Sequence, residues 1–420
     1  MNAVTVEELD RLLTGLVQSG EGISDVLLVA GKPPQVEVHG TLESPPMEAA
    51  RTILTSQRIE SLAGAILGHN PKLLRDLAEY GSCDCSYAVG DVCRFRVNIY
   101  RQNGGLAMVL RRLQAAVPTI ESLGLPPLFN EIVREKNGLV FVTGGSGNGK
   151  TTTLAAMLHE INRTSRVHVI SLEDPIEFLH PQLQSTFSQR ELGRDFFSFP
   201  DGLRAALRQA PKVILVGEIR DRDTMEIALS AGETGHLVFT TLHTISADQT
   251  INRILGLFTE SEEQQVRDRL SVALRYVVGQ RLVPRQGGGR MLITEVMGSS
   301  LRTRETIALG ENENRRLHDI IEAGSNAGWH SFEQSLLRAY EDNLIAEETA
   351  MQYCVNKPVM RQRLDFSRPR GPRPGANAAA APMVVVAAAP RAPAPSLPTP
   401  PILKPEPHSG LLKGFLNGIV

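Results

Sequence analysis

The stretch Gly138–Ile161 reads GLVFVTGGSGNGKTTTLAAMLHEI, and its reading decides the fold. A short apolar run enters a glycine cluster, and the cluster enters a segment with the spacing of an amphipathic helix. Gly144–Thr151 matches G-x-x-x-x-G-K-T with the strand before it and the helix after it that the motif requires. Gly144, Gly145, Gly147 and Gly149, with Ser146 and Asn148 between them, allow backbone N–H groups to turn inward around phosphate oxygens. The helix that follows adds the positive end of its dipole. Lys150 is placed to reach the β- and γ-phosphates and Thr151 to ligate Mg2+, with Thr152 beside it.

Outward from this stretch, short continuous apolar runs alternate with helical segments: HVISLED, KVILVGE and HLVFTTL. That alternation indicates a parallel sheet covered on both faces. KVILVGEIRD (212–221) ends in Glu218, at the carboxyl end of a strand, where Mg2+ and the attacking water sit in P-loop enzymes. VISLEDPIEFLH (169–180) sets Glu173, Asp174 and Glu177 just past another strand. On the residues alone these carboxylates either hold metal and activate water or form a solvated turn with a helix cap. GHLVFTTLHT (235–244) brackets a buried-looking strand with His236 and His243, which the residues alone read as capping or satisfied core histidines.

The 420 residues allow two or three domains, and 42% hydrophobic with 21% charged residues is ordinary globular composition. A net charge of −2 and 5% aromatics give no footprint for nucleic acid. The sequence holds no apolar run long enough for a transmembrane helix, and MNAVTVEELDRLL lacks the core of a signal peptide. Cys83, Cys85, Cys93 and Cys354 form no paired framework and read as free thiols in a reducing cytoplasm. Residues 1–115 read as a small α+β domain: VLLVAGKPPQVEVHGTLE and RFRVNIYRQNGGLAMVLRRL have hairpin patterns, TSQRIESLAGAIL and PKLLRDLAEY helical spacing. A linker at 116–122 leads to an ATPase-type domain at 123–360, whose residues 315–357 are mostly helical. Residues 361–420 form a Pro/Ala-rich tail whose composition predicts disorder, ending in GLLKGFLNGIV, which has the spacing of a short docking helix.

The motifs GGSGNGKTTT, EDPIEF, VGEIRD and ETGHLVFTTLHT, in this order, resemble the secretion-superfamily ATPases of type II secretion and type IV pili. The pilus-retraction (PilT/PilU) branch matches best, from about residue 20 to 360, including SDVLLVAGKPPQVEVHG, RFRVN and GWHSFEQSLL. The resemblance implies a PAS-like N-terminal domain, then a RecA-like domain with a parallel central sheet. It implies ATP with Mg2+ as ligands, with Glu173 polarising the attacking water and Glu218 organising Mg2+; which of the two is the general base stays open. It implies that His236 and His243 lie near the nucleotide, that Arg96 and Arg111 reach it from the N-terminal domain, and that Arg190 and Arg194 form a second basic pair near a subunit boundary. It further implies a homo-hexamer in the cytoplasm, held at the inner membrane by a pilus platform protein and working beside a paralogous motor ATPase.

This chain departs from that pattern in three places. RQAPK (208–212) stands where the family reads RQDPD, so acids are lost beside the site. TIALGE (306–311) stands where the retraction motif reads AIREGK, keeping Ile307 and Gly310 and reversing the final charge. SDVLL (24–28) puts Leu27 where a histidine is usual. The expected function is a hexameric motor for pilus retraction; the alternative is an accessory subunit with little activity of its own.

Overall fold

The computed structural model describes residues 4–38, 40–45, 51–90, 92–113 and 116–367. Thr5 opens α1 (Val6–Gln18) with a capping box: its hydroxyl accepts from the Glu8 N–H, and the Glu8 carboxylate accepts from the Thr5 N–H. There follow β1 (Ile23–Leu28), β2 (Gln35–Val38), β3 (Thr41–Glu43), α2 (Ser56–Leu67), α3 (Pro71–Glu79), β4 (Ser82–Val89), β5 (Cys93–Gln102) and β6 (Gly105–Leu113). Both hairpins read from the sequence are present. Leu27 pairs with Gln35 across the Gly-Lys-Pro-Pro turn. Asn103 and Gly104 both take positive φ, 47° and 78°, the geometry a two-residue hairpin turn demands.

These strands form a six-stranded sheet in the order β3-β2-β1-β6-β5-β4, antiparallel throughout. Phe95, Val97 and Ile99 are buried on one face with Leu9, Leu13, Ile59 and Leu62 from the helices. The period of two along β5 then puts Arg94 and Arg96 on the other face. Cross-strand pairing lines up Ser86, Arg96, Arg111 and Asp25 in one row.

The chain continues through α4 (Phe129–Ile132), β7 (Gly138–Thr143), α5 (Lys150–Thr164), β8 (His168–Glu173), β9 (Thr186–Glu191), α6 (Phe199–Ala206), β10 (Val213–Val216), α7 (Arg222–Glu233), β11 (Leu237–Leu242), α8 (Ala247–Leu255), α9 (Glu263–Ala273), β12 (Leu274–Pro284) and β13 (Arg290–Gly298). The second sheet has seven strands in the order β13-β12-β7-β11-β10-β8-β9. The strands expected from the apolar runs, β7, β8, β10 and β11, are parallel neighbours, and β7, β10 and β11 are buried at every residue. Helices cover both faces, with separate apolar clusters on each.

The sheet is not wholly parallel: β13 runs antiparallel to β12. The turn between them includes Gly287, Gly288 and Gly289, all at positive φ, and so short a connection allows only an antiparallel partner. The C-terminal part is helical as expected: α10 (Leu301–Leu309), α11 (Leu317–Ala323), a 3-10 turn at Gly324–Ala327, α12 (Phe332–Glu341), α13 (Glu347–Tyr353) and α14 (Lys357–Phe366). Phe332, Leu336 and Met360 pack these helices against Val283 and Ile293 of the β12–β13 hairpin. The tail beyond residue 367, with its apolar end, lies outside the described residues. Among the described residues no helix is long and apolar enough to cross a membrane. All four cysteines are buried and unpaired, and burial pushes the Cys83 and Cys85 thiols up to about 11 and 12.

Candidate nucleotide site

The glycine-rich loop needs its glycines. Gly144, Gly147 and Gly149 have φ of 143°, 76° and 80°, and a Cβ on Gly144 would stand 2.5 Å from the Gln280 carbonyl oxygen. The loop is tied down on the β12 side: Asn148 Oδ1 accepts from the Leu282 N–H at 3.2 Å, and Gln280 Nε2 donates to Thr153 Oγ1 at 2.7 Å. Gly149 caps α5 without any side chain, so the first N–H groups of the helix remain for a ligand. Gly145 and Ser146 sit on the open rim, and Thr151 and Thr152 follow half-buried in the first turn of α5. Lys150 is buried and folds back on the loop, donating to the Gly144 and Gly145 carbonyls at 2.8 and 3.2 Å. Burial lowers its pKa, and the charges of Glu218 and Glu177 oppose that fall.

The parallel sheet gathers the remaining groups. The loop follows β7, Glu173 ends β8, Glu218 follows β10 and His243 follows β11, so all lie at the carboxyl edge of one sheet. Glu173 is buried, and its Oε1 accepts from Ser171 Oγ at 2.6 Å and from Gln189 Nε2 at 3.2 Å. Burial pushes its pKa up to about 7 against the pull of those two donors. Glu218 makes an ion pair with Arg220 at 2.5 Å, and its other oxygen lies 3.8 Å from His243 Nε2. Desolvation and the Lys150 charge lower the His243 pKa, so its imidazole is neutral at pH 7. Glu177 adds a carboxylate: it lies 4.0 Å from Arg96 and is hydrogen-bonded to Thr151, with burial raising its pKa and Arg96, Thr151, Lys150 and Arg111 lowering it.

From the N-terminal sheet, Arg96 thus reaches the loop side, between Asp84 and Glu177. Arg111, its cross-strand neighbour, is held by buried Asp25 at 2.9 Å. Arg190 and Arg194 lie elsewhere, on and after the edge strand β9. Arg190 donates to the Asp195 carbonyl at 2.8 Å and stands over the Phe196 ring, and Arg194 is exposed. Within the chain they are separated from β7 by β8, β10 and β11.

Two expectations are corrected. His236 is not near the loop. It precedes β11, and six residues of strand separate the two edges of the sheet by about 20 Å. There its Nδ1 meets the Ala231 carbonyl at 3.1 Å and closes the end of α7. Ala210 and Lys212 likewise precede β10, so the acids missing from RQAPK are missing at the amino edge of the sheet rather than beside the loop. A second departure, Glu311 of TIALGE, accepts from the Leu317 N–H at 2.7 Å and so caps α11, whose N-cap Arg316 supplies no side-chain bond.

Ser171, Gln189, Arg94 and Arg220 also surround these carboxylates without being marked by the motifs. Ser171 carried a signal, since residues two apart on a strand share a face. Gln189 and Arg94 did not, because strand pairing brings Gln189 to Glu173 and packing of the two sheets brings Arg94 to Glu191, the strand partner of Glu173.

The family model for type II/IV secretion system proteins matches residues 85–288. The type IV pilus retraction ATPase PilT of Pseudomonas aeruginosa is 39% identical over 335 residues, covering 79% of this chain and 94% of the relative. A twitching motility protein of Neisseria gonorrhoeae is 36% identical over 329 residues, covering 78% of this chain and 86% of the relative. The chain belongs to the pilus-retraction ATPase family. It is an ATP hydrolase of the P-loop class. A crystal structure of the retraction motor PilT with bound ADP superposes with a TM-score of 0.75 at 38% identity, over 83% of this chain and 99% of that one. The type IV pilus ATPase PilU of P. aeruginosa, also of this family, is 36% identical over 355 residues, covering 84% of this chain and 90% of the relative.

Proposed function

We propose that the protein is a hexameric motor that uses ATP hydrolysis to retract a type IV pilus, acting on a platform protein in the inner membrane. The observation that carries the reading is one cluster: a glycine cradle with Lys150, two strand-end glutamates, and Arg96 delivered to the same place by the N-terminal sheet. The cradle N–H groups and Lys150 hold the phosphates, and a side chain on Gly144 would push the loop off the Gln280 backbone that it packs against. Thr151 and Glu218 are the residues that fit Mg2+, which when bound offsets charge on the phosphate oxygens. Glu218 already answers to Arg220, whereas Glu173 is poised near neutrality and free at Oε2 of the bonds that fix Oε1. That contrast supports Glu173 as the group that takes a proton from the attacking water. Neutral His243 beside Glu218 serves as a donor to phosphate. Arg96 and Arg111 bring positive charge to the phosphates when the two sheets close on them.

Lys150→Ala tests the site. It removes the only buried ammonium described at the loop, and ATP turnover should fall by about a hundredfold or more while the fold persists. A folded variant hydrolysing ATP at the parent rate refutes the assignment. The altered TIALGE segment favours a second reading, an accessory subunit on a paralogous motor ring. Retraction measured in cells carrying this chain as the sole motor separates the two: movement supports the motor, and movement only with a paralogue present supports the accessory subunit.

A further inference from the structure

Glu173 and Glu191 are paired in register on β8 and β9, so two buried glutamates occupy neighbouring positions on parallel strands whose backbones run about 5 Å apart. Like charges so placed need a cation. Among the described residues their own sheet supplies none that pairs with either. It comes from β5 of the N-terminal sheet: the Arg94 side chain is only 17% exposed, and its Nη2 lies 4.0 Å from Glu191 Oε2. Its Nη1 is buried and finds no hydrogen-bond partner among the described residues. Glu191 and Glu173 are the carboxylates whose charges favour the Arg94 cation, and Arg94 in turn favours the charged form of Glu173. The seat is specific. Ser86 Oγ donates to both oxygens of Glu191 at 2.8 Å, the Ile176 N–H donates to Oε2 at 3.2 Å, and Asn70 Nδ2 donates to the Gly193 carbonyl at 3.3 Å.

We propose that Arg94 is a positioning residue that couples the seating of the N-terminal sheet to catalysis: lodged against Glu191, the strand partner of Glu173, it favours the charged form of Glu173, and it does so only while that sheet rests on β9. This rests on Glu173 being the group that receives the water proton. The other groups around Glu173 are Glu177 from the segment after β8, whose charge opposes ionisation, and the donors Ser171 and Gln189, which favour it. Arg94 is the cation in this set. Lifting the N-terminal sheet from β9 removes that cation and leaves Glu173 to its burial, so a larger share of it holds a proton and turnover falls. The hydrolysis step is thereby licensed by the same domain contact whose movement delivers work.

The experiment is the pH dependence of steady-state ATP turnover in the full chain, with variants compared in the same buffers so that nucleotide protonation is common to all. Arg94→Gln should leave KM for ATP unchanged, lower kcat severalfold at pH 7, and recover toward the parent as pH rises. Arg94→Lys, which keeps the charge, should restore most of the rate at pH 7. Glu191→Gln, which removes the competing carboxylate, should move the acid limb the opposite way, to lower pH, and carries the test if Arg94→Gln does not fold. An Arg94→Gln loss that is equal at every pH, a Lys variant as slow as Gln, or an unmoved limb in Glu191→Gln overturns the inference. Glu173→Gln in parallel keeps the two readings apart. If it is inactive while the other variants show unmoved limbs, the role of Arg94 alone fails. If it turns over normally, the assignment of Glu173 fails and the inference with it.

Discussion

Glu173 and Glu218 are alike in type and in place, each at the carboxyl end of a strand, but their surroundings differ. Glu218 has an arginine at 2.5 Å and a histidine at 3.8 Å. Glu173 has burial, two neutral donors and a distant cation, and its pKa stands at about 7. A carboxyl near neutrality both accepts and returns a proton at working pH. Glu173→Gln keeps the shape and the contact with Ser171 while losing the basicity. It should bind ATP as the parent does and lose turnover by about a hundredfold or more. Glu218→Gln should instead weaken the Mg2+ dependence. Measuring nucleotide affinity and kcat for both variants checks this, and normal turnover in Glu173→Gln moves the base to Glu218.

At the scale of elements, β11 shows how sheet polarity outweighs motif membership. One ten-residue run contains both His236 and His243, yet a strand has two ends, and parallel pairing with β7 sends only His243 to the loop. The motif was legible and its direction was not, because the direction is set by a neighbouring strand. Glu295 on β13 is a second case. It is buried, its Oε1 accepts from the Ala247 N–H at 3.0 Å, and it thus caps α8, whose own N-cap Ser246 makes no side-chain bond. Burial, with the Glu333 and Asp248 charges behind it, pushes the Glu295 pKa up to about 7 against the pull of that N–H and Arg281. The folded chain therefore holds a proton that the unfolded chain releases in the ordinary carboxylate range, and stability falls as pH rises from about 4.5 to about 7. Glu295→Gln still accepts from Ala247 and removes the penalised charge. It should melt with the parent near pH 4.5 and be more stable at pH 8, by up to about 3 kcal/mol. Thermal unfolding of both proteins across that range reads the difference.

For the whole molecule, the proposed site draws on both sheets, since Arg96 of the N-terminal sheet reaches Glu177 beside the loop. Arg96 and Arg111 are adjacent on β5 and β6, and Asp25 on β1 orients Arg111. Their charge matters most where negative charge develops in the reaction. Replacing both with Gln should therefore lower kcat by about a hundredfold while affinity for ATP changes less than about tenfold. An unchanged kcat at saturating ATP counts against delivery of these arginines by the N-terminal sheet. Neither residue packs in the apolar core beneath that sheet, so the fold should persist.

The sequence by itself determined the local elements and the chemistry they carry. Glycines at set positions, apolar runs of strand length and turn residues act on their immediate neighbours, so the loop, both N-terminal hairpins and four parallel strands were readable without coordinates. Tertiary structure alone decided strand order, the added β9 and the β12–β13 hairpin, and which end of each strand faces the loop. It alone brought Arg94, Ser86 and Glu191 together across about a hundred residues of chain. Those meetings depend on how two sheets pack and on what a buried charge requires, and neither is encoded in any short window of sequence.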